Sequence, residues 1–373
     1  MTSENSAPLA GIKVVELARI LAGPWAGQVL ADLGAEVVKV ESPDGDDTRQ
    51  WGPPFIERED GSKDAAYFHA ANRGKESMVA DFGDADDLAR VKALIADADV
   101  VIENFRTGGL ARFGLDYENL REANPRLVYC SITGFGQDGP YAERAGYDFI
   151  VQGMSGIMDL TGEPDGPPQK IGVAYADILT GLYAVIGIQA ALHQRERTGR
   201  GQAIDMALFD VMVGTLANQA MNALTSGRCP RRLGNAHPNI APYEAFRAKD
   251  GWLIVAVGND RQFDRFRDVI DLPRREEWTT NARRVKARES LSASITRRIA
   301  EWPRDELLAQ LEEARVPAGP INSVKQALAD PQIVARGMVI DLAEGIRGLR
   351  TPIRFSEAAL AVGKPSPRKA AND

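Results

Sequence analysis

The chain of 373 residues is 44% hydrophobic and 26% charged, with a formal net charge of -7. So much apolar material excludes a disordered chain, and the acidic balance disfavours nucleic acid as the main partner, because phosphate binding needs a broad basic surface. The length exceeds the ~100–200 residues of one ordinary domain and points to two.

The first ten residues read as a loose lead-in without a basic region followed by an apolar run, so no signal peptide is expected. A buried strand over 12–17, a helix over 25–33 and a second strand over 35–41 form a βαβ opening. The alternation resumes with a helix near 86–96, a strand at 99–103, a helix near 117–123 and a strand at 126–132. Helices between apolar strands imply an α/β fold with a doubly wound, Rossmann-like parallel sheet. Asp177 then opens a helix to about Gln194, and Thr198-Gly199-Arg200-Gly201-Gln202 turns into a strand over 203–206. No uninterrupted apolar stretch reaches ~18 residues, so no membrane span is expected.

Beyond Gly227 the texture changes to a loop-rich entry, Arg228-Cys229-Pro230-Arg231-Arg232, leading into strands over 243–246 and 252–257 joined by hairpin chemistry at Lys249-Asp250-Gly251. Helical sequence follows to about Ala314, and strand patterns return at 339–342. The expected organisation is a large domain of 1–205 and 330–373, a linker over 206–225 and a small α+β domain over 226–329.

Cys130 and Cys229 lie far apart with no Cys-x-x-Cys spacing and no adjacent histidine, so neither a zinc site nor a disulfide framework is indicated, and a reducing cytoplasm is the expected location. His69, His193 and His237 are scattered, each read as a surface or satisfied buried residue. Gly134-Phe135-Gly136-Gln137-Asp138-Gly139 fits the dinucleotide pattern, but Pro140 and Tyr141-Ala142-Glu143-Arg144 do not continue as an apolar-striped helix, which argues against nicotinamide. The phosphate-cradling, serine-hydrolase and zinc-protease signatures are missing from the sequence.

One acid stands out. In Ala174-Tyr175-Ala176-Asp177-Ile178-Leu179-Thr180-Gly181 a small-residue loop becomes an apolar helix, so Asp177 is either a plain helix cap or a nucleophile. A helix N-terminus favours negative charge, which predicts an ionised carboxylate.

Around Asp177 stand Leu21-Ala22-Gly23-Pro24, Leu33-Gly34-Ala35-Glu36-Val37-Val38-Lys39-Val40-Glu41, Asn72-Arg73-Gly74-Lys75 and Val101-Ile102-Glu103-Asn104-Phe105-Arg106. Ser131-Ile132-Thr133-Gly134-Phe135-Gly136, the Thr198 turn, His237-Pro238-Asn239-Ile240 and Val316-Pro317-Ala318-Gly319-Pro320 follow. This ordered string, over about 8–356, resembles the class III CoA-transferase family, which includes formyl-CoA transferase, carnitine CoA-transferase and alpha-methylacyl-CoA racemase.

The resemblance implies that Asp177 is the catalytic nucleophile and that Leu21, Ala22, Ser42, Asn72, Arg73, Asn104, Phe105, Arg106, Arg112 and Tyr147 contact CoA. It implies CoA and acyl-CoA as substrates, no tightly bound cofactor, no metal, no ATP, and an interlocked homodimer. The donor would be succinyl-CoA or a similar thioester and the acceptor a free carboxylic acid. The segment at Gly258 is a candidate lid over the reacting group. The rival is the racemase branch, whose histidine is replaced by Tyr147 in Gly146-Tyr147-Asp148 and whose glutamate is replaced by Asp260. The family's usual C-terminal Gly-x-His-Thr segment is missing, and Lys364-Pro365-Ser366-Pro367-Arg368 stands in its place.

Overall fold

The structure, a computed structural model, describes residues 7–58 and 60–371. The first six residues of the expected lead-in lie outside the described residues, while Leu9 already ties its N–H to the Leu33 carbonyl at 2.8 Å.

Six strands build the main sheet: β1 Lys13–Glu16, β2 Glu36–Glu41, β3 Glu76–Val79, β4 Val100–Glu103, β5 Val128–Thr133 and β6 Ala203–Ala207. Their order is β3-β2-β1-β4-β5-β6 and every pairing is parallel, with Val14 opposite both Val37 and Val100. Strand alternation divides the apolar side chains between two cores. Val14, Val37, Val100, Ile102, Val128, Cys130 and Ile132 face the cluster that contains α1 (Ala22–Asp32). Val15, Val40, Val101 and Tyr129 face the other, with Val91 and Ile95 of a helix at Ala85–Ala96. The sheet is therefore covered on both sides, as the doubly wound reading requires. Edge strand β3 was missing from that reading because Glu76-Ser77-Met78-Val79 is short and polar, with only Val79 buried.

The helix expected from Asp177 runs from Tyr175 to Thr198 and ends on Gly199 in the left-handed conformation, φ 70°. By length and composition this helix could cross a membrane. Instead Ala184, Val185, Ile188, Ala191 and Leu192 pack it into the α1 core. Gly181 makes the approach to α1 possible: a Cβ there would stand 2.7 Å from the Ala22 carbonyl oxygen.

The chain divides into two compact units, one of residues up to 157, 170–221 and from 332 onward, the other of 158–169 and 222–331. The stretch expected as a linker, 206–225, is occupied by β6 and helices at Leu208–Gly214 and Ala217–Ser226. In the second unit, strands Tyr243–Arg247 and Trp252–Ala256 pair as the expected hairpin, and Ala318–Pro320 adds a third antiparallel strand that the sequence did not reveal. Phe246, Leu253, Phe266, Trp278, Ile295 and Leu307 fill its core.

The polar C-terminal stretch is strapped along the first unit. Gly74 N–H donates to Lys364 O at 3.1 Å, Arg58 to Ser366 O at 2.9 Å and Lys369 Nζ to Pro43 O at 2.6 Å, leaving Ser366 buried.

Candidate active site

In an open parallel sheet, ligands bind outside the carboxyl ends of the strands where the chain order reverses. Here that point lies between β1 and β4, and the loops leaving both strands are joined there: Arg19 N–H donates to Asn104 Oδ1 at 2.9 Å, and Asn104 Nδ2 to Arg19 O at 2.7 Å.

Loop 18–24 enters α1 through Ile20 at φ 72°, a left-handed conformation that a β-branched residue adopts at a cost of about 1–3 kcal/mol. Leu21 is the α1 N-cap residue and Ala22 its first residue; both are buried, and Leu21 supplies no side-chain cap. Beneath the loop lie Glu16, Lys39 and Lys75, all fully buried, with Lys75 Nζ 2.7 Å from Glu16 Oε2 and Lys39 Nζ 3.1 Å from Glu16 Oε1. Burial pulls the Lys75 ammonium down to about 8, against the pull of Glu16.

Asp177 is the third residue of its helix, and the N-cap position belongs to Ala174, which has no side-chain cap. Asp148, at the start of a helix over Asp148–Met154, does the capping: its Oδ1 accepts from Ala176 N–H at 2.8 Å and Asp177 N–H at 3.4 Å, while its Oδ2 accepts from Gln152 Nε2 at 2.7 Å. The helix N–H groups thus serve Asp148, and the expectation that they would keep Asp177 ionised is corrected. Burial, and then the Asp148 charge, push the Asp177 carboxyl up to about 7. A half-buried carboxylate that is poorly solvated and basic suits attack on a carbonyl, once deprotonated.

Tyr67, in a helix over Ala66–Ala71, lies within electrostatic range of this carboxyl pair. Burial, followed by the charges of Asp177, Asp148 and Asp46, raises its phenol to about 12, so it remains a hydrogen-bond donor. The Trp51 and Tyr67 rings meet edge to face, centroids 5.4 Å apart. No sequence motif marked Tyr67 or Asp148 as a partner of Asp177.

The remaining sequence candidates separate by orientation. Asn72 and Arg73 turn inward: Asn72 Nδ2 donates to Phe68 O at 2.9 Å, and Arg73 Nε to Asp32 Oδ1 at 3.0 Å, both residues being buried. The Asn104 side chain is occupied by Arg19, and Phe105 is half-buried beside Phe82. Ser42, Arg106, Arg112 and Tyr147 are exposed; Arg112 lies over the Phe113 ring at 4.5 Å. Arg106 and Arg112 are therefore the outward cations of the set. In the dinucleotide-like loop, Gly134 abuts Gly146, and residues 140–147 form no helix. His69 corrects the reading of satisfied histidines: it is buried, neither ring nitrogen is hydrogen-bonded, and burial pushes it down to about 4. In the second unit, Asn259 caps the helix after Gly258, and Asp260 pairs with buried Arg284 at 2.7 Å.

Fold and site together define an α/β protein with a Rossmann-like parallel sheet and a half-buried carboxyl, Asp177, pushed up by its surroundings. The chain belongs to CoA-transferase family III, which matches residues 9–372. It is 57% identical over 370 residues to the succinate–glutarate CoA-transferase of Agrobacterium fabrum strain C58, covering 97% of this chain and 92% of that one. It is 40% identical to the human succinyl-CoA:glutarate CoA-transferase, covering 97% and 84%. A crystal structure of a CAIB/BAIF family protein from Brucella suis superposes with a TM-score of 0.90 at 61% identity, over 98% and 97% of the two chains. The protein is thus an enzyme that moves CoA from an acyl-CoA donor to a carboxylic acid.

Proposed function

We propose that the protein transfers CoA from succinyl-CoA to a short dicarboxylic acid of the glutarate type, with Asp177 as covalent carrier. The observation that carries this reading is Asp177 itself: a half-buried carboxyl with a raised pKa, one helical turn from the Gly181 contact with Ala22. The Asp177 carboxylate oxygen attacks the thioester carbonyl, the C–S bond breaks, and CoA thiolate leaves an acyl-aspartyl anhydride. The thiolate then attacks the aspartyl carbonyl carbon and expels the donor acid, giving an aspartyl-CoA thioester. An acceptor carboxylate attacks that carbonyl, releases the thiolate and forms a second anhydride. Thiolate attack on the acceptor carbonyl delivers the new thioester and restores the Asp177 carboxylate. Tyr67 is suited to donate to the developing oxyanion, and exposed Arg106 and Arg112 are suited to the phosphates of CoA.

Chromatography of CoA products from a matrix of donors and acceptors tests this reading. Succinyl-CoA with glutarate should yield glutaryl-CoA and succinate. Solvent deuterium entering the thioester alpha-carbon without any acceptor, and no new thioester, would favour the racemase reading instead; Tyr147 stands exposed where that reading needs a histidine.

A homodimer belongs to the same proposal, supported by the apolar face that the long helix leaves open. Leu182, Tyr183 and Ile186 are exposed there, Ile186 by 61%, and Phe149 and Ile150 are exposed on the helix over Asp148–Met154 that packs against it. Sedimentation at micromolar protein should give twice the chain mass, and Ile186→Asp should shift it toward the single chain; a monomeric wild type would contradict the proposal. Cytoplasmic location is supported by the two free thiols, one of them exposed.

A further inference from the structure

We propose that Asp46 is a positioning residue, holding the strained Ile20 turn so that residues 21–23 stay fixed against the helix that carries Asp177. Three buried charged side chains grip the backbone of this loop. Lys39 Nζ donates to Ala18 O at 2.8 Å, Asp46 accepts from Ile20 N–H at 3.2 Å, and Lys75 Nζ donates to Pro24 O at 2.9 Å. Glu16 ties the two lysines together, and Lys39 in turn pairs with Asp46 at 2.8 Å.

Asp46 is itself held from several sides. Its Oδ1 accepts from Thr48 N–H at 2.9 Å and Thr48 Oγ1 at 2.7 Å, and its own N–H donates to Glu41 Oε2 at 2.9 Å. Glu41 is clamped by Arg49, Nε at 2.8 Å and Nη2 at 2.7 Å. Such a chain of buried ions brings little net stability, since well-packed apolar residues often do as well. Its geometric effect is specific: strained backbone persists where its surroundings over-determine it, and here the restraint falls on the amide of the one left-handed residue in the loop.

That turn reaches the chemistry where α1 packs against the helix that carries Asp177. The Ala22 carbonyl oxygen sits against Gly181, where no Cβ would fit, and Gly181 lies four residues beyond Asp177 on the same helix. A small displacement of residues 21–23 therefore shifts the wall beside the nucleophile, and misplacement by about an ångström can cost up to a hundredfold in rate.

The inference rests on Asp177 as nucleophile, so wild-type adduct formation is measured first; its failure would count against that reading alone. Rapid-quench rates of aspartyl-CoA formation, steady-state kcat and KM, and urea midpoints are then compared for Asp46→Asn and the double variant Ile20→Gly/Asp46→Asn. Asp46→Asn should lower kcat about tenfold or more, with KM for the acyl-CoA within about twofold. Glycine adopts the left-handed conformation freely, so the double variant should regain about threefold or more of kcat. Wild-type kcat in Asp46→Asn would overturn the proposal, as would a urea midpoint restored by Ile20→Gly without recovery of kcat. Should Asp46→Asn not fold, Thr48→Val, which removes one hydrogen bond aiming Asp46, should show the same loss at smaller size and the same rescue by Ile20→Gly; an unchanged kcat there would equally overturn it.

Discussion

Asp177→Asn should lower transferase kcat/KM by roughly a thousandfold or more, because no neighbouring group replaces the covalent carrier. The same substitution should stabilise the fold at pH 8. The Asp177 carboxyl rises from 3.8 to about 7 on folding, so its favourable contribution is fully present below about 3.8 and is lost as pH climbs through about 7. Above that pH the wild type holds a half-buried charge at a cost of about 2–4 kcal/mol, after allowance for its partial exposure. Urea unfolding should show the variant more stable at pH 8 and the advantage vanishing below pH ~4. Wild-type kcat/KM should rise through about pH 7 as the nucleophile ionises. Asp148→Asn preserves a capping oxygen but removes the like charge, and should move that rise to lower pH. An unmoved profile would remove Asp148 from the electrostatic account.

Breaking the Asp32–Arg73 pair should have the largest effect on stability. Asp32 is fully buried, accepts from Arg73 through both carboxylate oxygens, and also accepts from Thr351 Oγ1 at 2.6 Å and Thr351 N–H at 3.1 Å. It thereby ties α1 to the segment after β2 and to the returning C-terminal chain. Asp32→Ala leaves the guanidinium buried without its counter-charge, an expected loss of about 3–5 kcal/mol and a melting temperature lower by about 10 °C. Arg73→Met asks whether this arginine also holds CoA. Its guanidinium is committed to Asp32, so the urea midpoint should fall while KM for the acyl-CoA stays within about twofold. A KM raised tenfold with an unchanged midpoint would make Arg73 a ligand instead.

The large sheet was legible because its strands are nearly continuous apolar runs separated by helical spacings, the signature of strands covered on both faces. What escaped was structure with weak local signals. Strand β3 is polar and at an edge, while Ala318-Gly319-Pro320 contains two residues that strands usually avoid. The motif singles out Asp177 in the sequence, but not its electrostatics, because Asp148 lies 29 residues earlier in the chain and meets it only in the fold. Charged residues inside apolar strands, Glu16 and Lys39, were visible in the sequence and carried a usable signal: a buried strand rarely holds a charge without an opposite partner. Their pairing across β1 and β2, and the grip on loop 18–24, needed three dimensions.

The most direct test of the central claim is intact mass and peptide mapping of the wild-type protein after exposure to succinyl-CoA. The account predicts a covalent species heavier by CoA less one water, mapped to Asp177, removed by hydroxylamine and missing from Asp177→Ala. Full transfer activity in Asp177→Ala, with no adduct on the wild type, would contradict it.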